Sequence, residues 1–185
     1  LIHAAGSGVG VAAVQIAKVL GASLVIGTAG SADKLVRAAA LGLDTGVNYR
    51  EQDFAEEVLK ATGGRGVDVI LDVIGADYWD RNMKALAQKG RMILVGLMGG
   101  NSTNANIGVL LQKRASVRGT TLRARPIEEK GMATRAFEKS VLPHIASGRI
   151  KVVVDGVYPL ADAAAAQEYM AANQNFGKVV LRVGE

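Results

Sequence analysis

Short apolar runs rich in Val, Ile and Leu alternate with helix-patterned segments through roughly the first 120 residues of the chain. Residues 1–5, 23–27, 46–49, 67–74, 91–96 and 116–122 read as strands. Between them, Ser31 is placed to cap a helix that runs to Leu41 and closes at Gly42. Asp53 and Glu56 have capping-box spacing and open a second helix, which stops before Gly63 and Gly64. Residues 78–87 and 107–113 complete the helical set. Strands joined by helical crossovers build a parallel sheet with helices on both faces. The predicted class is α/β, a doubly wound parallel sheet.

The first strand-to-helix connection narrows this. Residues 1–5 run into Gly6-Ser7-Gly8-Val9-Gly10, and a helix follows with Ala13, Ile16, Ala17 and Leu20 on one face. In that context Gly8-Val9-Gly10-Val11-Ala12-Ala13 fits the G-x-G-x-x-G/A pattern of Rossmann-type dinucleotide sites. Gly8 permits a tight turn, Gly10 lets a pyrophosphate approach the backbone, and Ala13 allows close helix–strand packing. The free N–H groups of Ser7, Gly8, Val9 and Gly10 and the positive helix end then face phosphates. A glycine-rich turn that binds nothing is the competing reading of such a motif.

Composition agrees with buried parallel strands: 49% of residues are hydrophobic but only 4% aromatic. With no cysteine, disulfides and thiolate metal sites are excluded, and no metal site is expected. No apolar run approaches a membrane span, and a cytoplasmic protein is expected. The net charge of +5 suits an anionic ligand, while the scattered basic residues make nucleic acid the weaker partner. After Pro126 the pattern changes to a long helix to about residue 146, a strand at 150–157, a helix at 161–173 and a strand at 178–183. A boundary near Arg125 divides residues 1–125 from 126–185. The chain starts with Leu inside its first strand and is expected to be a piece of a longer protein.

The end of the second strand carries the cofactor signal. An NAD site places Asp or Glu about 20 residues after the glycine turn; here the chain reads Gly27-Thr28-Ala29-Gly30-Ser31, without an acid. Lys34 lies in the first turn of the next helix, where a cation opposes the helix dipole unless an anion binds beside it. Thr28, Ser31 and Lys34 thus read as a 2′-phosphate pocket, with a solvated surface lysine as the alternative. Ile74 and Gly75, and Gly96, Leu97, Met98, Gly99 and Gly100, follow the fourth and fifth strands, where ribose and nicotinamide contacts are expected. Asp72 reads as a capping or local hydrogen-bonding residue, and His3 and His144 as structural or surface residues. No Y-x-x-x-K occurs, which argues against a short-chain dehydrogenase.

Several blocks taken together resemble the C-terminal part of the quinone oxidoreductase (zeta-crystallin-like) branch of the medium-chain dehydrogenase/reductase superfamily. They are Ala5-Gly6-Ser7-Gly8-Val9-Gly10 with Gln15 and Lys18, Gly27-Thr28 with Lys34, and Val47-Asn48-Tyr49-Arg50. Asp72-Val73-Ile74-Gly75, Leu142-Pro143-His144 with Ser147-Gly148, and the run from Asn175 to Leu181 extend the match to the whole chain. Ser7 replaces the glycine usual at that place.

The resemblance implies that Lys34 and Tyr49 grip the 2′-phosphate of NADPH. It sets Gly96–Gly99 and Phe176, Gly177 and Lys178 along the nicotinamide half. It implies a zinc-independent transfer of hydride to a quinone or α,β-unsaturated carbonyl, with this fragment inactive alone. The C-terminal segment would belong to a GroES-like catalytic lobe whose N-terminal part is absent, and the family would dimerise by pairing strand 116–122. No side chain is identified as the catalytic acid or base. An enoyl-thioester reductase, and a redox-silent nucleotide sensor or RNA-binding protein, stay open as alternatives.

Overall fold

In the computed structural model, which describes residues 1–184, the alternation resolves into a six-stranded parallel arrangement. Helix α1 (Gly8–Val19) is followed by β1 (Ile26–Ala29), α2 (Ala32–Ala39), β2 (Thr45–Asn48), α3 (Phe54–Ala61) and β3 (Val67–Asp72). Then come α4 (Trp79–Ala85), β4 (Leu86–Leu94), α5 (Gly108–Lys113) and β5 (Ser116–Gly119). β1 pairs with β2, and β3, β4 and β5 pair in that order, all parallel. The first residues fill the gap between the two groups. Ile2 bridges both Gly27 and Leu71, and Ile2 and His3 donate backbone hydrogen bonds to Ile26 and Leu71.

Neighbouring residues of the inner strands point to opposite faces, so each strand feeds two cores. Leu1, Ile26 and Ile70 pack with Phe54, Val58, Met83 and Leu86, under α3 and α4. Ile2, Val25 and Leu71 pack with Val11, Val14 and Ala38, under α1 and α2. That is the doubly wound class expected. Asp53 caps α3 as read, accepting from Ala55 and Glu56 N–H; Ser7, not read as a cap, also caps α1, its Oγ accepting from Gly10 N–H at 3.0 Å. The reciprocal half of the capping box is absent among the described residues, because Glu56 turns to Lys84.

Several boundaries differ from expectation. The second strand lies at Ile26–Ala29 rather than 23–27, because Ala22 and Gly21 still close α1. The fifth begins directly at the end of α4 and carries an irregular register opposite Val67–Val69, where Lys89 adopts φ +59°. The sixth stops at Gly119 instead of 122. The long helix is broken: α6 (Ile127–Ser140) gives way at Val141 to α7 (Leu142–Ala146). Pro143 lacks the N–H a continuous helix needs, and sits instead in the first turn of α7, where no such donor is required.

The late strands, β6 (Val154–Pro159) and β7 (Lys178–Arg182), pair with each other in parallel across α8 (Ala163–Ala171). They form one more βαβ unit. Gln15 fastens this unit to α1: its buried amide donates to Lys151 O at 3.0 Å and accepts from Lys151 N–H at 2.8 Å. No helix among the described residues is long and apolar enough to cross a membrane.

Candidate functional site

A cleft of about 530 Å³ opens where the parallel strands end. Its lining comes from the loops after five strands (Gly6, Ser7, Gly8 and Val9; Gly30; Tyr49; Val73; Met98) together with Lys34. The other wall is the C-terminal segment, with Asn173, Asn175, Gly177 and Lys178. Ligands of open α/β sheets bind at this end of the strands, where the order reverses. A second cleft, about 500 Å³, lies towards the strand beginnings and is walled by Ile2, Ile16, Leu24, Val25, Val69 and Leu71. Its charged rim, Arg65 and Asp68, is paired within itself at 2.6 Å.

The two motif glycines meet different surroundings. A Cβ on Gly10 would lie 2.2 Å from Ala4 O, so the chain's own fold-back requires Gly10. At Gly8 a Cβ would meet only the end of the Lys178 side chain, at 2.5–2.8 Å. Gly8 and Val9 carry the first N–H groups of α1, which have no acceptor within the helix. Lys178 therefore brings a cation to the positive end of a helix, and Lys34 lays its stem across Gly6, 3.0 Å from a Cβ there. Among the described residues neither lysine is paired with a carboxylate. A bound anion would relieve this concentration of positive charge.

Of the expected 2′-phosphate pocket, Lys34 and Tyr49 face the cleft and Thr28 does not. Thr28 is buried, with its hydroxyl 3.0 Å from His3 Nδ1. Ser31 caps α2, accepting from Lys34 N–H at 3.5 Å. The Lys34 ammonium instead donates to the backbone and side-chain oxygens of Asn173, at 2.7 and 2.8 Å. Burial lowers its pKa; Asp155 opposes that shift, and Arg37 and Arg50 add to it. The Tyr49 hydroxyl lies against Gly30, 2.7 Å from where a Cβ would be, and the Arg50 guanidinium borders the same point at 3.2 Å.

The loops after β3 and β4 come together, as expected, but their backbones are largely satisfied by one another. Met98 and Gly99 N–H donate to Val73 and Ile74 O at 3.2 and 2.7 Å, and Asp77 N–H donates to Gly99 O. Gly96 sits against Val73 O, and Gly75 needs its positive φ of 86° to turn beneath Leu97. Val73 and Met98 are the residues of this loop pair that line the cleft, and the Met98 side chain is largely exposed there. Phe176 is buried, with the Arg37 guanidinium 4.2 Å above its ring, so its side chain anchors the segment. Gly177 does reach the turn, donating to Gly6 O at 2.9 Å.

Beneath the cleft a buried polar chain crosses the sheet. Asn82 Nδ2 donates to Asp72 at 3.0 Å, so its Oδ1 accepts from His3 Nε2 at 2.7 Å, and Nδ1 is left to accept from Thr28. Asp72 also receives Ile74 N–H at 2.7 Å and Gly75 N–H at 3.3 Å. Burial raises the Asp72 pKa, against these hydrogen bonds, and lowers that of His3 to about 4. Asp72 is thus the local hydrogen-bonding residue expected, and His3 a structural one. Asn82 and Asn173 were not singled out by the sequence, and Arg50 only as the end of the Val47–Arg50 block. Among the described residues no three His, Asp or Glu side chains converge as metal ligands.

The profile of one family, zinc-binding dehydrogenases, matches residues 8–139. A 2-haloacrylate reductase from Burkholderia sp is 35% identical over 185 residues, covering 98% of this chain and 54% of the relative. A component of the phenolphthiocerol/phthiocerol polyketide synthase of Mycobacterium tuberculosis is 35% identical over 183 residues, 99% of this chain and 8% of that protein. The crystal structure of Escherichia coli quinone oxidoreductase complexed with NADPH superimposes with a TM-score of 0.83 at 37% identity, covering 98% of this chain and 56% of that one. The chain thus spans about half the length of the reductases it matches.

Proposed function

The chain belongs to the zinc-binding dehydrogenase family, and from that premise we propose that it is the NADPH-binding part of an oxidoreductase that reduces quinones or α,β-unsaturated carbonyls. The observation that carries the reading is the cleft itself. An acid-free strand end, a glycine turn and two lysines without carboxylate partners meet at the switch point of the sheet. The NADPH complex of the quinone oxidoreductase and the name of the 2-haloacrylate reductase support the cofactor and the acceptor class.

Bound there, NADPH supplies a hydride. Lys34 binds the 2′-phosphate and Tyr49 flanks the same ribose. The N–H groups of Gly8 and Val9, with Lys178 beside them, hold the pyrophosphate. Met98 and the paired loops after β3 and β4 wall the nicotinamide half and exclude water. Among the described residues no cluster of His, Asp or Glu could hold a metal ion, and the reading takes the hydride transfer as zinc-independent. In the same reading residues 1–125 are the cofactor domain, and residues 126–185 return to a catalytic lobe. Two copies pair through the strand at Ser116–Gly119.

The match to a polyketide synthase component favours one variant, an enoyl-thioester reductase with the same cofactor site. Steady-state assays of the full-length parent protein with a quinone, a 2-haloacrylate and an enoyl thioester separate the two. Preference for the quinone or haloacrylate supports the main reading, and preference for the thioester the variant. Failure of NADPH to bind the chain overturns both.

A further inference from the structure

Helix α8 ends in a Schellman closure. Asn173 N–H donates to Met170 O at 2.9 Å, Gln174 N–H donates to Tyr169 O at 3.3 Å, and Asn173 takes the left-handed conformation with φ +53°. This closure brings both oxygens of Asn173 to one point, the ammonium of Lys34. A lysine has three N–H donors; two are spent on Asn173, and the third remains at the cleft that both residues line.

Asn173 is chemically suited to this. Its oxygens and the negative end of α8 attract the ammonium without cancelling its charge. The next cation on α2 shows the contrast. Arg37, one turn along, is bound to the carboxylate of Asp155 at 2.7 Å, which Tyr169 also holds at 2.8 Å. Of two cations facing the C-terminal segment, one is neutralised and the other is held but left charged.

We propose that Asn173 is a specificity-determining residue, positioning Lys34 as an oriented, uncompensated cation that selects a 2′-phosphorylated dinucleotide. This rests on the reading of Lys34 as the 2′-phosphate contact. The lysine side chain is otherwise a flexible stem whose ordering opposes binding. Fixed in advance by two hydrogen bonds, it meets the phosphate without that loss.

Fluorescence titrations with NADPH and NADH test this in wild type, Asn173→Gly, Asn173→Asp, Lys34→Ala and the Lys34→Ala/Asn173→Asp pair. Glycine and aspartate both tolerate the left-handed conformation, so the helix end is retained. Asn173→Gly removes one of the two oxygens and is expected to weaken NADPH about threefold, and Asn173→Asp, which cancels the charge, about tenfold or more. NADH affinity stays within about twofold in both, and in the Lys34→Ala background Asn173→Asp has no further effect on NADPH. Should Lys34→Ala lower the NADPH/NADH ratio while Asn173→Gly leaves it unchanged, Asn173 does not position Lys34 and the proposal is overturned, whatever Asn173→Asp does. A ratio insensitive to Lys34→Ala overturns the 2′-phosphate reading, and this proposal with it.

Discussion

His3 Nε2 lies 2.7 Å from Asn82 Oδ1, and this contact links the first strand segment to α4. Through Asn82 the imidazole reaches Asp72, which holds the N–H groups of Ile74 and Gly75. Every member of the chain is buried, so each polar atom depends on its neighbour.

Asn82→Ala removes the middle of this chain and leaves His3 and Asp72 each short of a partner. We expect a loss of about 2–4 kcal/mol in urea-induced unfolding, because buried polar groups are left unsatisfied. A change below about 0.5 kcal/mol, the level of ordinary surface substitutions, would show that the chain is not stabilising.

Burial also makes His3 a source of acid sensitivity. Its folded pKa of about 4 lies below the ordinary 6.5, so the unfolded state binds the proton first. The stability from neutral His3 is complete above pH 6.5 and declines as pH falls towards 4, by on the order of 3 kcal/mol. Carboxylates titrate over part of the same range. The His3 share is therefore the difference between wild type and His3→Gln. Parallel pH–stability curves for the two proteins between pH 6.5 and 4 would contradict this.

The motif glycines separate by substitution. At Gly10 the added Cβ meets backbone at 2.2 Å that cannot move without opening the turn, and Gly10→Ala is expected to cost on the order of 3 kcal/mol. At Gly8 the Cβ meets only the flexible end of Lys178, so Gly8→Ala should change stability by no more than about 0.5 kcal/mol. Thermal unfolding of the two variants gives the comparison; equal losses would mean that the turn is tight throughout.

Local signals carried most of the fold. Ser31 and Asp53 cap the helices their positions suggested, and the alternation of strand and helix placed both faces of the sheet. What eluded the sequence depends on contacts between distant segments. Thr28 looked like a cofactor residue because it ends a strand; only the fold shows its hydroxyl turned inward to His3. Phe176 is likewise drawn inward beneath Arg37. Asn173 carried a legible mark, an asparagine just past a helix, but its partner is 139 positions away.

The edge strand gives another such case. Arg118 reads as a charged guard of that edge, and Thr120 N–H donates inward to Leu94 O at 2.9 Å. The two-residue period then directs Arg118 N–H inward as well, leaving the N–H groups of Val117 and Gly119 on the free edge. Gly119 has open space around a Cβ. If the chain dimerises through this strand, Gly119→Pro removes an outward donor and should shift the mass seen by light scattering towards monomer. A monomeric wild type at high concentration, or a dimeric variant, contradicts the interface.

The most direct test of the account is the cofactor preference of Lys34→Ala, measured by fluorescence titration with NADPH and NADH. Loss of a charge-assisted contact to the 2′-phosphate predicts weaker NADPH binding by about 1–3 kcal/mol and NADH binding left nearly unchanged. Equal losses for both cofactors, or none for either, would contradict it.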